Sequence, residues 1–268
     1  MSIRRYEERQ RASRYTMKLI CWNINGLQSK NLRLRTLAVC DVINTEHPEV
    51  VFLQEVIRQT FLMLKKECPH YTVLQASDKD YFTAILLRKS CVTVEEHVVH
   101  PFPTSVMARK LQTVKCIVNN VQCYLMTSHL ESMDSHDEER KKQLLVALQA
   151  MENVDKDRAV IFGGDLNIRD KEITDVGGLP DNILDLWEIT GSRPEHQYTW
   201  DYWQGQLNHV KVAKETRFRF DRIYLRRNAR PSLIPTNFKM VGLEKLSSCH
   251  DFASDHWGIM VTFAIRRR

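Results

Sequence analysis

No stretch of this 268-residue sequence is apolar over the roughly 18 residues that a bilayer-spanning helix requires, and no signal-peptide core follows the basic N-terminus. A membrane span and a secretory route are therefore not expected. No C-x-x-C pair occurs among the seven cysteines, Cys21, Cys40, Cys68, Cys91, Cys116, Cys123 and Cys249. An odd number without paired spacing fits reduced, mostly buried thiols and argues against a disulfide framework. The expected setting is a reducing compartment, cytosol or nucleus. Low-complexity tracts and short-period repeats are also missing, which excludes solenoids and linker-like chains.

What is present is an ordinary globular composition, 43% hydrophobic and 27% charged, with a modest basic excess of 39 Lys+Arg over 33 Asp+Glu. The excess gathers at Arg4, Arg5, Arg9, Arg11 and Arg14 and at Arg266-Arg267-Arg268. Such a distribution suits a polyanionic partner, and equally a solubilising surface with basic tails. Residues 1–16 read as a basic, flexible arm or a boundary to something upstream, and 17–268 as one domain.

Apolar runs at Lys18-Leu19-Ile20, Val50-Val51-Phe52 and Ala159-Val160-Ile161-Phe162 read as buried strands. Between the first two, Leu34, Leu37, Ala38 and Val42 recur at helical spacing, and His47-Pro48 ends that helix. A second helix is expected from Thr60 to Glu67. Strands at 71–75, 82–88, 92–100, 111–118 and 121–127 form a meander, with Asn119-Asn120 as a tight hairpin turn. Ser135-His136-Asp137-Glu138 has capping-box spacing before a helix that carries Leu144, Leu148 and Met151 on one face. Strand patterns return at 217–225 and 257–265. So much strand is better accommodated by two packed sheets flanked by helices than by one sheet covered on both faces.

Polar clusters stand where four strands run out: Cys21-Trp22-Asn23, Leu53-Gln54-Glu55, Gly163-Gly164-Asp165-Leu166-Asn167 and Ser254-Asp255-His256. Each alone fits a hydrogen-bonded turn or a satisfied core residue. Together they suit phosphoester cleavage. Asp165 can orient and polarise a water, Asn167 and Asn23 can hold phosphoryl oxygens, and Gly163 and Gly164 are expected to let a substrate backbone come close. A strand-end carboxylate at Glu55 is a natural ligand for magnesium, which takes oxygen donors and few protein carboxylates. Ser254-Asp255-His256 is not a serine-protease triad, because neighbours on an extended chain point apart. A protonated His256, its pKa raised by a carboxylate elsewhere, can instead donate to a non-bridging oxygen. His129 is a second candidate donor. Trp200, Trp203, Leu207, Phe218 and Phe220, interleaved with Arg217, Arg219 and Arg222, have the make-up of a single-strand groove, or of an aromatic core under a long loop.

These clusters, with Tyr81-Phe82-Thr83-Ala84-Ile85, Thr127-Ser128-His129-Leu130-Glu131-Ser132, Gly177-Gly178-Leu179-Pro180, Gln197-Tyr198-Thr199-Trp200-Asp201, Arg219-Phe220-Asp221-Arg222-Ile223 and Gly242-Leu243-Glu244-Lys245-Leu246, resemble the catalytic domains of 5′-tyrosyl-DNA phosphodiesterases. These belong to the endonuclease/exonuclease/phosphatase superfamily, and the resemblance runs from Met17 onward. It implies a four-layer αββα sandwich of two mixed sheets. It also implies magnesium-dependent hydrolysis, with manganese as a substitute, of the bond between a topoisomerase tyrosine and a DNA 5′-phosphate. Asn23, Glu55, Asp165 and His256 would be catalytic, with Glu55 on the metal. Asn167, His129, Ser132, Asp255 and Arg169 would support phosphate binding, and Tyr81, Arg109, Trp200, Leu207 and Phe220 would line the DNA groove.

The partner so implied is DNA with a 5′-tyrosyl or peptide adduct, single-stranded at its 5′ end, met by a monomer in the nucleus and also in the cytoplasm. Similar sequences usually read W-N-I-D-G where this one has Trp22-Asn23-Ile24-Asn25-Gly26, so Asn25 brings no charge to a cation or imidazolium. Members often carry a small ubiquitin-binding domain upstream, and the Arg-rich start here is expected to be the edge of a catalytic fragment. The competing readings are an abasic-site endonuclease or an inositol-phosphate phosphatase on the same fold, and an inactive nucleic-acid-binding module.

Overall fold

The structure, a computed structural model, describes residues 15–201 and 217–266. The basic arm (apart from Tyr15 and Thr16) and Trp203 and Leu207 lie outside the described residues. Two six-stranded sheets carry the fold, in the orders β13-β14-β1-β2-β4-β3 and β5-β6-β7-β8-β12-β9. The strands are β1 Thr16–Asn23, β2 Val50–Ile57, β3 Tyr71–Gln75, β4 Tyr81–Arg88, β5 Val92–Pro101, β6 Lys110–Val118, β7 Val121–His129, β8 Ala159–Asp165, β9 Ile183–Asp185, β12 Asp221–Arg226, β13 Leu233–Val241 and β14 Gly258–Ile265. A two-stranded ribbon, β10 Trp200–Asp201 with β11 Arg217–Phe218, stands apart from both sheets. Each sheet has one parallel pair, β1 with β2 and β7 with β8, and the remaining pairs are antiparallel, so both are mixed.

Alternation along the strands sets the layers. Met17, Leu19, Cys21, Phe52 and Ile85 of the first sheet face Val114, Cys116, Leu125, Ile161 and Ile223 of the second in one buried core. The other faces are covered by helices. Helix α1, Leu32–Glu46, and helix α2, Arg58–Glu67, press Val39, Ile43, Phe61 and Leu64 onto Ile20, Trp22, Val51 and Leu53. Helix α3, Asp137–Asn153, presses Leu144, Ala147, Leu148 and Met151 onto Met126, Val160 and Phe162. Each buried Val, Leu, Ile, Met or Phe side chain among them contributes about 1.5–3 kcal/mol, so the three clusters weld the four layers into one unit. The order helix, sheet, sheet, helix is the expected αββα sandwich. Two short helices, α4 Asp170–Asp175 and α5 Leu186–Ile189, complete it.

Local expectations mostly held. Helix α1 ends at His47, which takes a left-handed conformation just before Pro48, and Asn119 and Asn120 both have positive φ in the β6–β7 hairpin. Two expectations failed. Ser135 does not cap α3, because Asp134–His136 form a 3-10 turn and the N-cap is His136, with no side-chain cap bond. Gly163 and Gly164 do not clear a path for substrate. A Cβ on Gly164 would lie 1.9 Å from the Ser128 carbonyl oxygen, and one on Gly163 would crowd Arg222 and Ile223. Both glycines serve close approach of β8 to its own neighbours.

Candidate active site

The parallel pairs of the two sheets end on the same side of the sandwich, and their last residues meet there. Asn23, ending β1, sits opposite the end of β2, where the register slips between Leu53 and Val56. In that bulge Glu55 adopts φ 52°, which turns its side chain off the sheet ladder. From the other sheet, His129 and Asp165 lie side by side at the ends of β7 and β8. The loop before β14 brings in His256, anchored by Trp22 Nε1 donating to its carbonyl at 2.9 Å and by Ser254 Oγ accepting from its amide.

Asp165 is the hub. Its Oδ2 accepts from Asn23 Nδ2 at 2.9 Å and lies 3.2 Å from His129 Nε2 and 3.7 Å from His256 Nε2, while Oδ1 accepts from the Asn167 amide. Burial pushes the carboxyl up, but His129, His256 and Asn23 outweigh it and hold Asp165 well below the usual carboxylate range. Asn23 Nδ2 also reaches Glu55 Oε1 at 3.1 Å, so one amide bridges two carboxylates. Its Oδ1 accepts from the Asn25 amide. Asn25, in the left-handed region at φ 47°, is held through its backbone.

His256 Nδ1 lies 2.8 Å from Asp221 Oδ2, and Thr199 Oγ1 accepts from the Phe220 and Asp221 amides to fix that turn. Burial alone would lower the imidazole pKa. The Asp221 and Asp165 charges reverse this and raise it well above the ordinary value. Asp221 is the functional residue that sequence reasoning missed, although a carboxylate partner for His256 was expected and Asp221 stands within a quoted motif.

Around this centre, Asn167 Nδ2 donates to the Leu130 carbonyl and to Ser132 Oγ, and Ser132 Oγ accepts from Arg109 Nη2 at 2.9 Å. The Arg109 guanidinium lies 5.3 Å from the Tyr81 ring centroid, and the Tyr81 ring lies 6.3 Å from that of His129. These three residues line a cavity of about 180 Å³ that opens beside the centre. On another flank Phe218 and Phe220 stack at 4.7 Å, Trp200 packs against both at 6.0 Å, and Arg169 lies over the two phenyl rings. Trp200 is bridged directly to His256. Asp255 stands at the edge, bonded within the described residues only to Ser254 Oγ. Its charge also helps raise the His256 pKa. All the expected site residues except the undescribed Leu207 therefore lie at one centre or on its flanks.

A profile of the Endonuclease/Exonuclease/phosphatase family matches residues 20–256. The chain is 42% identical over 262 residues to tyrosyl-DNA phosphodiesterase 2 of Homo sapiens, covering 97% of this chain and 71% of that protein. It is 43% identical to the same protein of Bos taurus over 249 residues, 92% of this chain and 67% of that one. The chain belongs to the tyrosyl-DNA phosphodiesterase 2 family. The crystal structure of the Danio rerio member, complexed with single-strand DNA product, superposes with TM-score 0.89 at 41% identity, over 92% of this chain and 98% of that one. The Caenorhabditis elegans member gives 0.85 at 31% identity, over 93% of this chain and 75% of that one. A Bacteroides thetaiotaomicron mannosyl-6-phosphatase gives 0.72 at 13% identity, covering 93% of this chain and all of that one, and so shares the fold alone.

Donors able to hold a divalent metal are present. Atoms of Asp165, Asp221 and His256 lie within 4.8 Å of one another, but Nδ1 of His256 is committed to Asp221 and Asp165 Oδ2 already faces Asn23 and His129. That set is suited to sharing a proton. Glu55, half-buried, has one oxygen on Asn23, and its other oxygen has no hydrogen bond among the described residues. A lone hard carboxylate of this kind fits a magnesium ion.

Proposed function

We propose that the protein hydrolyses the ester between a tyrosine side chain and a DNA 5′-phosphate, releasing the tyrosine or its peptide and leaving a 5′-phosphate. The observation that carries this reading is one centre, Asn23–Asp165–His256, flanked on one side by the Trp200–Phe218–Phe220 wall and on another by the Arg109–Tyr81 cavity. Stacked aromatics with an arginine suit unpaired bases, and a separate cavity beside the phosphate leaves room for a bulky ester. The DNA repair role and single-stranded 5′ end are argued from the same pairing and from the family relatives.

The chemistry follows from the residues. Asp165, ionised at neutral pH, accepts a hydrogen bond from the attacking water and orients and polarises it; the proton passes to solvent as the new phosphorus–oxygen bond forms. Protonated His256, steadied by Asp221, donates to a phosphoryl oxygen that gains charge, and Asn167, His129 and Ser132 offer further polar contacts. A magnesium or manganese ion at Glu55 would supply Lewis-acid stabilisation of the phosphoryl charge. The bond from phosphorus to the tyrosine oxygen breaks to give a phenolate, which takes a proton from solvent; its conjugate acid has a pKa of about 10, so its departure demands less of a general acid than that of an alkyl alkoxide. We further propose that the protein works as a monomer and that it acts in the nucleus and also in the cytoplasm.

Incubation with a 5′-phosphotyrosyl oligonucleotide tests the proposal. The expected products are tyrosine and 5′-phosphorylated DNA, formed with magnesium and not with chelator. Turnover in chelator sinks the metal, and preference for an abasic duplex or an inositol phosphate sinks the substrate.

A further inference from the structure

The loop joining β5 to β6, residues 102–109, carries Arg109 to the site. Its base is closed by the Phe102 amide donating to the Arg109 carbonyl. At its tip Val106 is 73% exposed, so burial does not hold that end. Ala108 has φ 54°, a conformation that costs a residue with a side chain of order 1 kcal/mol and persists only where neighbours impose it.

The constraint comes from Glu131, which has no exposed surface. Its Oε1 accepts from the Val106 and Met107 amides at 3.0 and 2.9 Å, and its Oε2 from Ser105 Oγ at 2.7 Å and Gln143 Nε2 at 2.9 Å. Ser105 Oγ in turn accepts from the Arg109 amide at 2.8 Å. Glu131 is itself fixed to α3, with its amide donating to Gln143 Oε1 and its carbonyl accepting from Arg140 Nη1. A buried carboxylate is therefore saturated by four donors, three of them on the loop whose residues Met107, Ala108 and Arg109 wall the cavity beside His129.

We infer that Glu131 is a positioning residue, which holds the 105–107 backbone so that Arg109 and the cavity wall are in place before substrate arrives. The chemistry requires a carboxylate there. An ionised carboxylate only accepts, whereas an amide would turn an NH2 toward Ser105 and Gln143 or toward the two backbone amides. Glu131 touches no reacting group; it acts through Arg109 and Ser132, whose contact at 2.9 Å depends on where the loop lies.

This inference rests on the proposed substrate, and its test separates the two. Glu131→Gln and Ser105→Ala are assayed beside the unaltered protein with a 5′-phosphotyrosyl oligonucleotide and with bis(4-nitrophenyl) phosphate, and amide hydrogen exchange is followed at Val106 and Met107. Glu131→Gln is expected to lower kcat/KM on the oligonucleotide by about 10- to 100-fold, several times more than on the small diester, with faster exchange at both amides. Ser105→Ala, which keeps the carboxylate, should give a smaller loss in the same direction, and it decides the matter if Glu131→Gln does not fold. Proportional losses on both substrates, or faster exchange without loss on the oligonucleotide, would overturn the positioning role. If the unaltered protein cleaves only the small diester, the substrate reading fails, and the exchange rates still decide whether Glu131 holds the loop.

Discussion

Asp221 and His256 are 35 residues apart in sequence, one opening β12 and the other in the loop before β14, yet a single buried contact of 2.8 Å joins Oδ2 to Nδ1. It orients the imidazole and keeps it charged, because a carboxylate at that distance in a buried place favours the protonated form more than burial opposes it. A protonated histidine at neutral pH is thus a property of His256 with Asp221, helped by the charge of Asp165.

Replacing Asp221 by Asn tests that pairing. His256 would lose the partner that raises its pKa, so the alkaline limb of kcat should move to lower pH, and kcat at neutral pH should fall about 100-fold. The sign is fixed: a histidine raised in the folded state adds stability fully present below its unfolded pKa, and that stability is lost as pH rises through the folded value. A pH–rate profile with an unmoved alkaline limb would count against the pair.

Asn23→Ala removes the amide between Glu55 and Asp165 and leaves two carboxylates facing each other. The expected loss in kcat is about 100- to 1,000-fold, because Asp165 and Glu55 lose the donor that holds them in place, with no change in the folded spectrum by circular dichroism.

Glu55→Gln keeps the shape and removes the charge. Activity should then require a much higher magnesium concentration, seen as a shifted metal titration, whereas an unchanged titration would remove Glu55 from the metal.

Phe220→Ala takes one face from the stacked wall, at 4.7 Å from Phe218. KM for a single-stranded 5′ substrate should rise by an amount equivalent to about 1–3 kcal/mol, since stacking on one aromatic is worth that much per base, and kcat should change less.

Gly164→Ala places a methyl 1.9 Å from the Ser128 carbonyl oxygen, in backbone that cannot step aside without breaking the β7–β8 pairing. A loss of about 3 kcal/mol or more is expected in urea unfolding, and a variant as stable as the parent would show that β8 can shift.

Asn23, Glu55 and Asp165 could be read from the sequence because each follows an apolar run, and a polar residue at a strand end is both conspicuous and accessible; His256 instead stands just before its apolar run, in the loop that leads into β14. Asp221 stood within the alternation of Arg219, Phe220 and Arg222, which looks like a groove lining, and its partner is fixed only by how the two sheets pack. Gly163 and Gly164 were legible as small but not as to what they make room for, since the nearby atoms belong to β7 and β12. Ser135 had the right spacing for a cap, but the chain tightens into a 3-10 turn and begins the helix two residues later. Strand β13, with its bulge between Pro235 and Asn237, has too little regular alternation to be recognised beforehand. Glu131 was visible only as a letter in a motif, because its significance lies in donors from two separate segments, the 105–107 loop and helix α3.

The placing of β14 between β13 and β1 has a consequence for a chain still being made on the ribosome. The residue that supplies the imidazole is translated just before the strand that closes the first sheet, so an incomplete chain carries Asn23, Glu55 and Asp165 but no seat for His256. Until β14 arrives, β1 also presents an unpaired apolar edge, which invites association with other strands. Completion of the hydrolytic centre and pairing of the β1 edge therefore belong to the same late step of synthesis.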